Sequence, residues 1–191
     1  MQKLIIISGM SGVGKDTVTK LLLAKNPSLE KVRTNTTRER RVESDGKLDN
    51  TYDYITEEEF KKRIDENYYL EWARVHQEYY GSPKMEVERI WKQGRVPILV
   101  IDVQGLESVK KIMPDQVISI FINYDPKTTL RNRLLKNRPG ISEEEIISRE
   151  KSAEKERGAI GSYDFVVINP EGSPELAVDE INQIIEKSLI A

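Results

Sequence analysis

The chain opens on an unbroken apolar run, residues 4–7, and passes directly into glycine-rich sequence. A run without polar alternation predicts a strand covered on both faces, the pattern of a parallel sheet. Further runs at residues 98–101, 117–122 (with a serine inside) and 165–168 predict strands of the same kind. Between them, apolar positions recur at helical spacing over residues 17–24, 87–92, 106–113, 126–135, 143–155 and 174–188. Ser142 before Glu143-Glu144-Glu145 reads as an N-cap followed by a first turn whose charge suits the helix dipole. Strands alternating with helices predict an α/β fold built on a parallel sheet flanked by helices.

From about residue 33 to 82 the alternation stops. The stretch is polar and aromatic, with Tyr52, Tyr54, Tyr68, Tyr69, Trp72, Tyr79 and Tyr80, and residues 57–65 have helical spacing. Short aromatic strands and turns predict a small mixed β subdomain inserted into the core. Tyr68, Tyr69 and Trp72 are expected to form its interior. The basic row Arg131, Arg133 and Lys136 reads as a solvated helix face.

Composition narrows the chemistry. The 191 residues fit one domain with insertions, and 38% hydrophobic against 32% charged residues describes a soluble globular chain. There is no cysteine, which excludes disulfides, thiolate metal sites and a cysteine nucleophile. The single histidine, His76, excludes a multi-histidine metal site and is expected at the surface. A net charge of −2 argues against a nucleic-acid partner. The first apolar run is too short for a signal peptide or a membrane span, so a cytoplasmic protein without a membrane partner is expected. Oligomeric state is left open.

Gly9-Met10-Ser11-Gly12-Val13-Gly14-Lys15-Asp16-Thr17 follows the first predicted strand and opens the first predicted helix. It contains G-x-x-x-x-G-K, in which glycines let successive backbone N–H groups face one phosphate and the lysine supplies a point charge. The helix N-terminus adds its positive dipole end. These residues are the candidate ATP site, with Lys15 expected to face solvent. The position after the lysine, ordinarily Ser or Thr, is Asp16. A carboxylate there is either a hard ligand for Mg²⁺ or a helix N-terminal acid placed for the dipole.

Further along stand Thr34-Asn35-Thr36-Thr37-Arg38-Glu39-Arg40-Arg41, then Glu71-Trp72-Ala73, Tyr79-Tyr80-Gly81-Ser82 and Ile101-Asp102-Val103-Gln104-Gly105. Hydroxyls interleaved with arginines suit a dianionic phosphate. Taken singly, Glu71 and Asp102 are ordinary strand-end carboxylates. Together with the phosphate loop, Arg138 and Arg149, these segments resemble the guanylate kinase family over nearly the whole chain.

The resemblance implies transfer of the γ-phosphoryl of ATP to GMP or dGMP, with Mg²⁺. It implies a core at residues 1–33 and 83–191, a monophosphate-binding subdomain at about 34–82 and a lid at about 137–148. Carried over residue by residue, Thr34, Arg38, Arg41, Tyr52 and Tyr80 hold the acceptor phosphate, while Glu71, Ser82 and Asp102 read guanine. Lys15, Arg38, Arg138 and Arg149 become the catalytic cations. Carboxylates suit the N1–H and N2–H₂ donors of guanine, and a hydroxyl suits O6.

Several positions depart from the family pattern. Thr34 replaces a usual serine, and Val100 stands where an acid near the metal is usual. The segment 42–51 lacks an early glycine, and Thr51 replaces the aspartate before the tyrosine, so Tyr54 is the alternative to Tyr52. Two rival readings follow: a kinase of another small phosphorylated acceptor, and a non-catalytic interaction module of the same fold.

Overall fold

The structure is a computed structural model that describes residues 2–10, 12–40, 48–75, 77–125, 129–137 and 140–190, with side chains at 137 and 155 excepted. Ser11, Arg41, His76 and Arg138 therefore lie outside the described residues. The core begins with β1 (Leu4–Gly9), α1 (Lys15–Lys25) and β2 (Leu29–Lys31). A second unit contains β3 (Asn35–Thr36), β4 (Asp53–Tyr54), α2 (Glu57–Asp65), β5 (Tyr69–Val75) and β6 (Glu78–Pro83). The chain then returns to the core through α3 (Lys84–Lys92), β7 (Val96–Val100), α4 (Val103–Ile112) and β8 (Val117–Tyr124). It ends with α5 (Leu130–Asn137), α6 (Glu143–Gly158), β9 (Phe165–Asn169) and α7 (Pro174–Ile190).

The core strands are all parallel and lie in the order β2-β7-β1-β8-β9. β1 is central and every residue of it is buried, which explains its lack of polar alternation. The serine inside β8 is satisfied: Ser119 N–H and Oγ–H both donate to Asp164 Oδ2, at 2.8 and 2.7 Å. β2 escaped the sequence reading because it has three residues and only Leu29 is buried.

The inserted unit is a separate mixed sheet, β4-β3-β6-β5. Its interior is Phe60, stacked on Tyr69 at 4.6 Å and tilted against Tyr79 at 5.2 Å. Trp72 does not belong to it; the side chain is 46% exposed. The cause is strand alternation: its neighbour Glu71 points inward, so Trp72 points out. In the β5–β6 hairpin Glu71 lies opposite Ser82.

The carboxyl ends of β1, β7 and β9 place the phosphate loop, Asp102 and Asn169 along one edge of the core sheet, where ligands of such sheets bind. No described helix is long and apolar enough to cross a membrane. Ile6, fully buried at the centre of β1, is the sharpest probe of this core. Ile6→Ala should cost ~2–5 kcal/mol in a denaturant unfolding titration through the lost burial and the cavity left behind.

Candidate active site

The turn between β1 and α1 is set by glycines. Gly14, the N-cap of α1, has φ 90°, and Gly12 has φ 75°, both in the left-handed region that a side chain strains. The left-handed cap aims the first unpaired N–H groups of α1 into the loop. The loop is braced from outside: Val13 O accepts from Asn169 Nδ2 at 2.7 Å and Arg133 Nη2 at 3.3 Å. Those two bonds fix the Val13 carbonyl against α5 and β9.

Arg133 overturns the expectation of a solvated basic face. It is buried and also donates from Nη1 to Asn169 O at 3.1 Å. Arg131 and Lys136 do pair at the surface, with Glu143 and Glu171. Lys15 does not face solvent freely either. Its Nζ folds back onto Gly9 O at 2.5 Å and Met10 O at 3.2 Å. Burial holds its pKa below the ordinary lysine value.

A cavity of about 530 Å³ lies on one side of the loop, lined by Gly12, Val13, Gly14, Lys15, Asp16 and Thr17 together with Arg133, Arg149 and Asn169. Arg149 pairs there with Glu145, Nε to Oε1 at 2.9 Å. Buried Arg133 Nε and Asn169 Oδ1 have no hydrogen-bond partner among the described residues. A second cavity of about 280 Å³ is lined by Gly9, Lys15 and Asp16 from the core side and by Thr34, Tyr52, Glu71 and Tyr80 from the inserted unit. Asp102, Val100 and Glu156 complete its wall. Lys15 and Asp16 belong to both cavities.

In the smaller cavity Ser82 Oγ–H donates to Glu71 Oε1 at 2.5 Å. The helix that follows β7 packs against this carboxylate: a Cβ on Gly105 would meet Glu71 Oε2 at 2.9 Å, so a side chain there would push the carboxylate from its place. Asp102 caps the same helix, its Oδ1 accepting from Gly105 N–H at 3.0 Å. Burial raises the Glu71 pKa to about 7, opposed by the Ser82 hydrogen bond and helped by the negative charge of Asp102.

Tyr52 lines this cavity, edge-on to Tyr80 with centroids 5.8 Å apart. Tyr54 is engaged elsewhere, accepting from Arg38 Nη2 at 3.2 Å. Arg38 and Thr17 line a neighbouring cavity of about 870 Å³ that shares Tyr52 and Asp16. Glu156 and Arg133 line these cavities without having been singled out from sequence. Arg133 was hidden in a charged row, and Glu156 in an acidic helix.

Two facing cavities that share the wall of a phosphate loop define a nucleotide phosphotransferase of the P-loop class. Comparison gives the particular family. The model of the guanylate kinase family matches residues 1–188. The guanylate kinase of Caldanaerobacter subterraneus subsp. tengcongensis is 44% identical over 183 residues, covering 95% of this chain and 85% of that protein. That of Helicobacter pylori is 42% identical over 167 residues, covering 87% and 79%. The crystal structure of guanylate kinase from Anaplasma phagocytophilum has a TM-score of 0.75 at 25% identity, covering 98% of this chain and 86% of that one. The chain belongs to the guanylate kinase family, nucleoside-monophosphate kinases that move the γ-phosphoryl of ATP to GMP. The readings as another acceptor's kinase or a non-catalytic module are set aside.

The Glu71 pKa makes a pH test. Between its ordinary value of 4.5 and about 7 the folded chain holds a proton that the unfolded chain has lost, so this group lowers stability as pH rises through that window. A partner that donates hydrogen bonds favours the carboxylate and reverses the penalty. KM for GMP should therefore fall about tenfold between pH 6 and 8, the titration of one group near neutrality. Glu71→Gln should remove that share of the pH dependence, measured against the parent with the same GMP.

Proposed function

We propose that the two cavities are the ATP and the GMP or dGMP sites, and that transfer takes place across Lys15 and Asp16. The observation that carries this reading is that these two residues line both cavities. In-line phosphoryl transfer needs donor and acceptor oxygens brought together against preorganised charge, and no protein base. Lys15 and the N–H groups of residues 12–17 hold the donor phosphates. The unpartnered Arg133 Nε and Asn169 Oδ1 suit the polar edge of the donor base. Thr34, Tyr52 and Tyr80, with Arg38 from the neighbouring cavity, hold the acceptor phosphate, and Arg41, outside the described residues, is assigned to it from the sequence motif.

Glu71, Ser82 and Asp102 read guanine, whose N–H donors meet carboxylates. Adenine offers no N1–H or N2–H₂ and would leave a buried carboxylate unpaired, which a hydrogen-bonding site rejects strongly. The unit at about 34–82 and the lid at about 137–148 close over the nucleotides, bringing Arg138 and Arg149 inward and excluding water. Water exclusion matters because hydrolysis of ATP is the competing reaction. A reaction on the nucleotide pool places the protein in the cytoplasm.

Mg²⁺ fits the residues present. Such an ion is held chiefly by phosphate oxygens and water and needs little more than one protein carboxylate. Asp16, exposed in the first turn of α1, would hold it, and the ion would neutralise charge on the transferring phosphates. Val100, on the acceptor cavity wall, offers no oxygen.

Acceptor choice and metal binding test this reading separately. In a coupled ADP-release assay GMP should far exceed AMP as acceptor, and Glu71→Gln should lower kcat/KM for GMP by ~1–3 kcal/mol, the effect of an unmet buried hydrogen bond. Equal turnover of AMP and GMP by the parent would contradict it. Asp16→Ser should raise the Mg²⁺ concentration needed for half-maximal activity, and Val100→Asp added to it should recover much of the loss. An Asp16→Ser enzyme equal to the parent would reduce Asp16 to a helix N-terminal acid.

A further inference from the structure

The segment 42–51, which departs most from the family pattern, carries near its end a residue with a defined partner. Asp49 is buried, and its Oδ2 accepts from Arg38 Nη2 at 2.5 Å. Its Oδ1 accepts from the backbone N–H of Thr51 at 2.8 Å, so the carboxylate is itself oriented by the turn that carries it. Tyr54 accepts from the same Nη2 at 3.2 Å. The guanidinium lies over the Tyr52 ring, 5.2 Å from its centroid. Both members of the ion pair are largely shielded, with 16% and 12% of their side-chain surfaces exposed.

We propose that Asp49 is a positioning residue for the acceptor phosphate: it holds Arg38 by one corner, against Tyr52, before GMP arrives. The proposal rests on the reading of Arg38 as an acceptor-phosphate residue. Arginine is a long side chain whose guanidinium binds a phosphate well only when its planar fork is already oriented. Asp49 and Tyr54 use Nη2, and the Tyr52 ring fixes the plane. The buried Nε has no partner among the described residues, so the clamp leaves donor capacity on the guanidinium. Ordering Arg38 in the empty enzyme removes that cost from the binding step.

An opposing effect exists, and the geometry decides against it. A carboxylate beside Arg38 cancels part of the charge that attracts phosphate. That loss is offset locally by Lys31, whose Nζ also lies over the Tyr52 ring at 5.5 Å and lines the same cavity as Arg38 and Asp49. Asp49 lines the neighbouring cavity with Arg38 and Tyr52, and does not line the cavity of Glu71 and Tyr80. Burial pushes its carboxyl up, but hydrogen bonds from Thr51, Tyr54 and Arg38 outweigh burial and hold it at about 2, so the clamp is charged at neutral pH.

The test is steady-state kinetics on the parent, Asp49→Asn, Asp49→Glu, Tyr54→Phe, Arg38→Ala and the Arg38→Ala/Asp49→Asn double variant, each with a melting curve. Asp49→Asn should raise KM for GMP about tenfold through lost preorganisation, while KM for ATP and kcat stay within about twofold. Asp49→Glu should recover part of the loss, and Tyr54→Phe should raise KM for GMP by a smaller factor. On the Arg38→Ala background, Asp49→Asn should add nothing, which a merely structural role would not produce. An unchanged or lower KM for GMP in Asp49→Asn overturns the proposal, as does an equal rise on both backgrounds. If Arg38→Ala itself leaves KM for GMP unchanged, the reading of Arg38 falls and the clamp with it. Should Asp49→Asn fail to fold, Asp49→Glu and Tyr54→Phe decide, and parent-like KM for GMP in both overturns the clamp.

Discussion

The arrangement of the site hangs from the left-handed turn at Gly14. That turn starts α1 at Lys15 and sets its N-terminus against the spaces on either side of the loop. A side chain at φ 90° would strain the turn and shift the helix. The Val13 carbonyl is held by Asn169 and Arg133, which fixes the path of the loop. Donor geometry thus depends on β9 and α5 as well as on the glycines. The lysine is satisfied by Gly9 and Met10 carbonyls, a weak set of partners compared with phosphate oxygens.

The second cavity, which we propose takes the acceptor, carries the opposite device, a buried acid rather than a nest of donors. Glu71 is buried in the β5–β6 hairpin with one hydroxyl bonded to it and the Gly105 turn of α4 packed against it. Burial without a cation leaves the carboxylate short of stabilisation, and a ligand that brings N–H donors relieves it. Under the proposed reading of guanine by Glu71, selectivity comes from what the wrong base leaves unpaired more than from what the right base gains. Asp102 adds negative charge nearby while capping α4, so one residue both starts a helix and biases the site.

Much of this was legible in the sequence because local rules and tertiary roles agree there. β1, β7, β8 and β9 are apolar runs because the parallel sheet buries them, and Ser142 caps α6 by accepting from Glu145 N–H at 3.2 Å. The glycine loop before α1 stands in a spaced motif, as do Thr34, Glu71, Tyr80 and Asp102, which the fold brings to one cavity. What was not legible depends on direction or on distant partners. Arg133 stands two residues after Arg131 on a helix, which turns it to the opposite side, into the core. Trp72 looks like core by composition and points outward by strand parity. Asp49 sits in a polar loop, and nothing in its spacing names Arg38, eleven residues earlier, as its partner. β2 is too short to show any period.

The central claim is that one stretch, Lys15 and Asp16, is the common wall across which both nucleotides meet. Calorimetric titration with a single molecule joining adenosine to guanosine through a polyphosphate bridge tests it most directly. If the claim holds, the linked compound binds once per chain, displaces both an ATP analogue and GMP, and binds far more tightly than either nucleoside phosphate alone. Competition with only one of the two nucleotides, or independent binding of two linked molecules per chain, would contradict it.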